Sequence, residues 1–306
     1  MKECLVLSVK KISKSGRTSY ELSAGAYQQA GTDFINYTSA TYSCLQIQID
    51  NDNFSIKVDL DGKLVELSKF DMIYLYLVGG NLEMASIISL YAKHHNIVCL
   101  PGDTEYVRPN GKLLQAALFF VNHVPLIPTY FQEAYSSDLN ELPYGIPFVF
   151  KLDRGKKGRN NYRVESSKQW LKLINQDESF IVQEYIRNDG DYRVLCFGYE
   201  AKVVIKRSAA PDNYLNNTSQ GATAKLIPVD KVLAEALRVA ESAAKASKNE
   251  VAGVDIVRGK GNDRWYVIEL NQSPQMSTGA FVEQKLDAFT KFLELRINDT
   301  DILKPS

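Results

Sequence analysis

Two strand-like segments late in the chain carry oxygen ligands at metal-binding spacing: Val251-Ala-Gly-Val-Asp-Ile-Val257 and Trp265-Tyr-Val-Ile-Glu-Leu-Asn-Gln-Ser-Pro274. Successive side chains of an extended strand point to opposite faces, so Glu269 and Asn271, two apart, project to the same side. The link Arg258-Gly-Lys-Gly-Asn-Asp-Arg264 has turn composition. It folds the two strands back as a hairpin, which lets Asp255 join the other two. Two carboxylates and an amide oxygen make a hard donor set, the kind that holds Mg²⁺ while leaving positions for water and phosphate oxygens. Polar residues alternating with Val, Ile and Leu also describe the solvated face of an edge hairpin, so these residues alone leave both readings standing.

Upstream, Ile146-Pro-Phe-Val-Phe-Lys-Leu-Asp-Arg-Gly-Lys-Lys-Gly-Arg159 reads as an apolar strand ending in Lys151 and a short basic loop containing Gly155 and Gly158. Glycine lets backbone N–H groups approach anionic oxygens, and a lysine at the strand end supplies a point charge, so such a loop can close over phosphates. An ordinary exposed turn has the same composition. The pattern G-x-x-x-x-G-K-[ST] is absent, and Gly259-Lys-Gly261-Asn-Asp-Arg264 lacks the third glycine of a dinucleotide fingerprint, so a nucleotide site here is of another kind. Between these regions, Phe180–Ile186 reads as a strand broken by Arg187-Asn-Asp-Gly190. Asp191–Phe197 begins a hairpin, Gly198-Tyr-Glu200 turns it, Ala201–Arg207 returns, and Asn216–Ala222 is a polar loop.

In this order the segments resemble the ATP-grasp superfamily, and within it the RimK-type amino-acid ligases. The resemblance rests on Pro147–Lys151 with its glycine loop, Val182-Gln-Glu-Tyr-Ile186, Asp191-Tyr-Arg193, Lys206-Arg207, Asn217, Val251–Ile256 and Glu269–Pro274, and spans residues 107–295. It implies an α/β chain with an α+β core: an N-terminal α/β pre-ATP-grasp domain over 1–105, a central ATP-grasp subdomain with a phosphate-covering loop over 106–183, and a C-terminal subdomain with the magnesium site over 184–306. The implied chemistry is ATP-dependent joining of a carboxylate to an amine through an acyl phosphate, a phosphoryl transfer that needs positioning and charge neutralisation more than a nucleophile. On that basis Lys112 and Lys151 hold the α- and β-phosphates, and the loop from Arg154 to Gly158, with Gly155, closes over them. Gln183, Glu184, Tyr185 and Ile186 line the adenine, Asp191 reaches the ribose, and Lys206 and Asn217 complete the nucleotide contacts. Arg193 and Arg207 are the catalytic cations, and Asp255, Glu269 and Asn271 hold one or two Mg²⁺ ions, with Mn²⁺ as a substitute. The implied partners are a small-molecule or peptide carboxylate and an amine.

Three departures from the RimK pattern bear on the substrate. Gln220 stands where relatives usually have arginine, Gln275 replaces a glycine, and Lys206 stands where an acid is common. Loss of a cation near the substrate pockets leaves glutamate specificity open. A peptide-tagging or macrocyclising ligase is the alternative within the family, and a kinase or a non-catalytic nucleotide-binding regulator the alternative outside it.

The elements that must position these groups are readable in outline. The expected elements are strands at Leu5–Val9, Gln46–Ile49, Phe54–Val58, Leu64–Leu67, Met72–Leu77 and Ile97–Leu100, with helices at Tyr20–Ala30, Met84–His95 and Lys112–Asn122. Their alternation argues an α/β unit with a mostly parallel sheet. Tyr74 and Tyr76, near Gly79-Gly80 at a strand end, are read as core or cleft-wall packing. The 306 residues exceed a single core, and 36 basic against 36 acidic residues leave no net charge to attract nucleic acid or an anionic membrane. Scattered Cys4, Cys44, Cys99 and Cys196 point to buried thiols in a reducing cytoplasm, and His94, His95 and His123 do not make a histidine metal cluster. A membrane-length apolar run and a signal peptide are not expected; a homo-oligomer is left open.

Overall fold

The computed structural model describes residues 1–9, 19–50, 53–76, 78, 81–101, 111–155, 160–174, 178–209 and 223–302. The chain divides into two compact units, one of Met1–Val107, Lys248–Ala252 and Gln272–Ser306, the other of Arg108–Ser247 and Gly253–Asn271.

In the first unit β1 (Lys2–Ser8), α1 (Ser19–Gln29), β2 (Ile35–Thr41), β3 (Leu45–Ile49), β4 (Phe54–Leu60), β5 (Lys63–Glu66), β6 (Met72–Leu75), α2 (Leu82–His94) and β7 (Val98–Leu100) follow in order. A parallel sheet runs β2-β1-β6-β7, and β3-β4-β5 form a separate antiparallel sheet. Asp61 and Gly62 turn β4 into β5, both at positive φ (53° and 86°), the conformation that a two-residue hairpin turn demands. The Asp59 carboxylate fixes the turn by accepting from Gly62 N at 2.7 Å. Tyr74 and Tyr76 are buried in an aromatic cluster with Tyr27, Tyr37 and Phe289, which settles them as core packing.

The second unit holds α3 (Lys112–Val121), β8 (Thr129–Tyr130), β9 (Phe148–Leu152), β10 (Asn161–Val164), α4 (Ser167–Leu173), β11 (Phe180–Glu184), β12 (Asp191–Phe197), β13 (Glu200–Ser208), β14 (Thr223–Ile227), α5 (Ala234–Ala246), β15 (Val251–Arg258) from Gly253 onward and β16 (Trp265–Asn271). The last helix, α6 (Val282–Ile302), belongs to the first unit. One sheet runs β10-β9-β11-β8 over a core of Phe148, Phe150, Phe180 and the fully buried Trp170, whose indole donates to Ser136 O at 2.9 Å. Truncating such a tryptophan costs about 3–5 kcal/mol. The other sheet runs β14-β13-β12-β15-β16. Its strand β15 is apolar and buried along nearly its whole length, with Asp255 as the exception in type. Buried Ala236, Val239, Ala240, Ala243 and Ala244 recur at helical i, i+3, i+4 spacing on α5, a face of small side chains that lets the helix pack tightly.

The strand expected to reach Ile186 ends at Glu184, leaving Tyr185 and Ile186 in the connector to β12. The strand expected as Met72–Leu77 ends at Leu75, with Leu77, Gly79 and Gly80 outside the described residues. Among the described residues no helix is long and apolar enough to cross a membrane.

Candidate active site

The expected hairpin is present: β15 and β16 pair antiparallel with Asp255 opposite Glu269 and Gly253 opposite Asn271. Directly paired residues share a face, so both carboxylates and the amide lie on one side of the sheet. A register shift follows Asp255, beyond these pairs. Asp255 is buried at 2% exposure, whereas the Glu269 side chain is 30% exposed.

Guanidiniums surround the inner carboxylate. Arg193 donates to both oxygens of Asp255, Nε and Nη2 each at 2.8 Å. Arg207 reaches Asp255 Oδ2 at 2.9 Å and is itself clamped by Asp191 at 2.6 and 2.8 Å. Register makes this possible, since Asp191 stands opposite Arg207 across β12 and β13, and Arg193 lies two residues along β12 on the same face. Burial opposes ionisation of Asp255, and the two arginines overcome it, holding the carboxyl at about 2. Burial also acts on Asp191 and, against the pull of Arg207, pushes it up to about 6.

The lysines approach from β9 and α3. Lys151 is 4% exposed, and burial, reinforced by the charge of Lys112 and opposed by Glu269, lowers its pKa to about 8. Lys112 donates to the carbonyls of Leu152, Asp153 and Gly155 at 3.2, 3.0 and 2.9 Å, and its ammonium lies 3.9 Å from Glu269 Oε2. It thus ties the base of the basic loop to the hairpin that carries the outer carboxylate.

At the connector, Gln183 is buried and donates to Thr129 Oγ1 at 2.7 Å, while Glu184 N donates to Pro128 O at 3.1 Å. The ring of Tyr185 lies under the Arg163 guanidinium at 4.5 Å, and Ile186 O accepts from Asn188 at 2.8 Å. Lys206 does not join this constellation. It stands opposite Tyr192, on the other face of β13 from Arg207, because neighbouring residues of a strand alternate. Asp191, expected at a ribose, has both oxygens committed to Arg207. Gly158, Asn217 and Gln220 lie outside the described residues.

Two groups escaped the sequence reading. Asp153 accepts from Leu113 N at 2.8 Å, satisfying the first turn of α3, and a Cβ on Gly111 would fall 2.4 Å from its Oδ2. Gln115, buried on α3, donates to Leu270 O at 2.9 Å and accepts from Leu270 N at 2.8 Å, fixing the helix beside Glu269 and Asn271. Its position three residues after Lys112, on the same helix face, was the available signal.

Among the described residues no three His, Cys, Asp or Glu side chains form a ready metal centre. The expected set instead combines two carboxylates with an amide. Hard oxygens on one face, one buried and one turned outward, fit a hard divalent cation that also binds phosphate oxygens.

This architecture is that of the ATP-grasp proteins. D-alanyl-alanine synthetase A from Vibrio cholerae matches over 98% of both chains with a TM-score of 0.66 at 14% identity. A Chryseobacterium gregarium RiPP-associated ATP-grasp ligase, in complex with ADP and a leader and core peptide, matches over 95% of this chain and 96% of its own with a TM-score of 0.61 at 12% identity. At such identities the likeness establishes the fold. The RimK-like ATP-grasp domain family matches residues 122–295, and the chain belongs to that family. A probable alpha-L-glutamate ligase of Parasynechococcus marenigrum is 32% identical over 175 residues, 55% of this chain and 36% of that protein. The chain therefore spans little more than a third of that relative's length.

Proposed function

We propose that the protein is an ATP-dependent, ADP-forming carboxylate-amine ligase that makes an amide through an acyl phosphate. The observation that carries this reading is the pairing of Asp255 with Glu269 on one face of the hairpin, with Asn271 beside them and two arginines and two lysines converging on the same carboxylates. Membership of the RimK-like family and the name of the glutamate-ligase relative support it.

In this reading Lys112 and Lys151 bind the triphosphate, Lys151 drawing its strength from a dry position where an ammonium has few other partners. The loop from Arg154 to Gly158 excludes water that would hydrolyse the intermediate. Gln183 to Ile186 receive the base. Asp255, Glu269 and Asn271 would hold Mg²⁺, which when bound neutralises charge on the β- and γ-phosphates. A carboxylate oxygen of the substrate attacks the γ-phosphorus and ADP departs; the amine then attacks the acyl carbon and phosphate leaves. Arg193 stabilises the charge that accumulates on the transferred group. Arg207 reaches it through Asp255, and Asp191 serves by holding Arg207. The substrates are an amino-acid or peptide carboxylate and an amine on an amino acid, peptide or protein, in a cytoplasmic setting; Mn²⁺ replaces Mg²⁺ in the same oxygen set.

The test is a screen of amino acids and peptides for ADP and phosphate release with mass spectrometry of products. The proposal expects a product equal to the two substrates less one water. A product heavier by a phosphoryl group would make the protein a kinase. Loss of water within a single peptide would make it a macrocyclase, a reading favoured by the separate antiparallel sheet β3-β4-β5, whose outer strands offer edges to an extended chain.

A further inference from the structure

The face of the five-stranded sheet turned away from Asp255 carries a second concentration of charge. Register places Tyr192 opposite Lys206 and Lys206 opposite Lys225, so all three project to the side that Asp191 and Arg207 do not. They line a cavity of about 560 Å³ together with Lys231, Arg258 and Trp265. Tyr192 and Trp265 meet edge to face with centroids 5.3 Å apart, giving the cavity an aromatic floor, and the Lys206 ammonium sits 5.6 Å from the Tyr192 ring.

Lys206 and Lys225 stand directly opposite each other on β13 and β14. Like charges directly opposite across two strands destabilise a sheet, so this pair is a cost to the fold that a bound anion would relieve. Lys231 and Arg258 do contact acids, Asp230 at 3.4 Å and Asp263 at 3.3 Å, but on exposed side chains where such pairs exchange readily with another anion. In a chain of zero net charge, four cations around one cavity are a local feature.

We infer that this cavity binds an acidic peptide segment. A compact phosphate calls for donors converging on a point, whereas these cations stand on β13, β14, β15 and the turn at Val229–Lys231 before α5, spread around an apolar floor. Such a distribution suits carboxylates spaced along a chain. Beside them β14 is, among the described residues, an edge of the sheet, where an extended segment can add main-chain hydrogen bonds. The site occupies the face opposite the proposed ligase centre, and its occupant is independent of which reaction that centre performs.

The probe is fluorescein-labelled hexaglutamate, followed by anisotropy at low ionic strength with the nucleotide site saturated by a non-hydrolysable ATP analogue and Mg²⁺. Binding that weakens at least tenfold in Lys225→Glu, weakens further with added salt, and is absent for hexaglutamine supports the site. Lys225→Glu also faces Lys206 with an opposite charge, so its melting temperature should hold or rise. Lys231→Gln, on an exposed turn, supplies a second variant with a smaller loss. Unchanged hexaglutamate affinity in both variants overturns the inference. So does binding that appears only when the ATP analogue is left out, which would place the peptide in the nucleotide site, or displacement by equimolar pyrophosphate, which would make this a phosphate site.

Discussion

Arg193 and Arg207 grip one carboxylate, that of Asp255, from two strands: Arg193 with two bonds of 2.8 Å and Arg207 with one of 2.9 Å. The buried end of the proposed metal set is therefore gripped by short guanidinium bonds, whereas the more exposed end, Glu269, meets the Lys112 ammonium at 3.9 Å. The two carboxylates must answer differently to removal. Asp255→Asn leaves Arg207 buried and short of a partner, at a cost of about 3–5 kcal/mol. Glu269→Ala removes a partly exposed partner of Lys112 and should cost about 1 kcal/mol or less. Both should lose turnover. Thermal melts beside ADP assays check this; near-normal ADP formation in Glu269→Ala would remove it from the site.

The two arginines should separate in the same way. The Arg207 side chain is 5% exposed and that of Arg193 is 22% exposed. An exposed strand-end arginine would be indifferent to replacement, but Arg207→Ala strands both Asp191 and Asp255 and should lower stability by several kcal/mol. Arg193→Ala should lower kcat with a smaller loss of stability and little change in nucleotide affinity. Arg207→Lys should restore little, because one ammonium cannot reproduce a two-oxygen grip on Asp191. Denaturant unfolding and steady-state kinetics on the three variants decide it.

Lys151 makes the site pH-sensitive. Its pKa in the folded chain, about 8, lies below the unfolded value of about 10.4, so the unfolded chain binds more protons between the two. Stability should therefore rise with pH across that window, and the cost of burying the ammonium is fully present below pH 8. A phosphate ligand favours the ammonium. Nucleotide affinity should accordingly fall above pH 8, and binding at pH 8.5 should take up a proton, measurable by calorimetry in buffers of differing ionisation enthalpy. Lys151→Met should abolish the uptake and raise stability without ligand; undiminished uptake in that variant would contradict the assignment.

Asp153 and Gly111 join the basic loop to α3. Asp153→Ala removes the acceptor for Leu113 N and should cost about 1 kcal/mol, as helix caps do. Gly111→Ala should cost a similar amount, since its Cβ meets the same carboxylate at 2.4 Å. Both should weaken nucleotide binding through Lys112. Gly145→Ala, where nothing lies within 4 Å of an added Cβ, is the matched control.

Much of the site was legible because strand alternation and hairpin register are local. Glu269 and Asn271 share a face by parity, and the Gly-containing link returned Asp255 opposite Glu269. The strands Asp191–Phe197 and Trp265–Asn271 have the bounds read from their pattern. The partners were not legible. Nothing between Asp191 and Arg207 announces an ion pair over Arg's usual phosphate role, and Lys112 meets carbonyls some forty residues away. Parity did separate Lys206 from Arg207, but grouping both as one basic motif hid it. α5 was missed although its alanine face repeats at helical spacing, because small residues give a weak apolar signal. β2 was missed because Asn36, Thr38 and Ser39 interrupt its apolar run.

The acyl phosphate is the centre of this account, and oxygen transfer tests it most directly. Once the screen has supplied a carboxylate substrate, it is labelled with oxygen-18 in both carboxylate oxygens and turned over with ATP, Mg²⁺ and the amine. Attack on the γ-phosphorus followed by displacement at the acyl carbon carries one labelled oxygen into each inorganic phosphate released. The account predicts that singly labelled phosphate forms in step with ADP and amide. Unlabelled phosphate with an intact doubly labelled carboxylate, or label appearing in AMP, would contradict it.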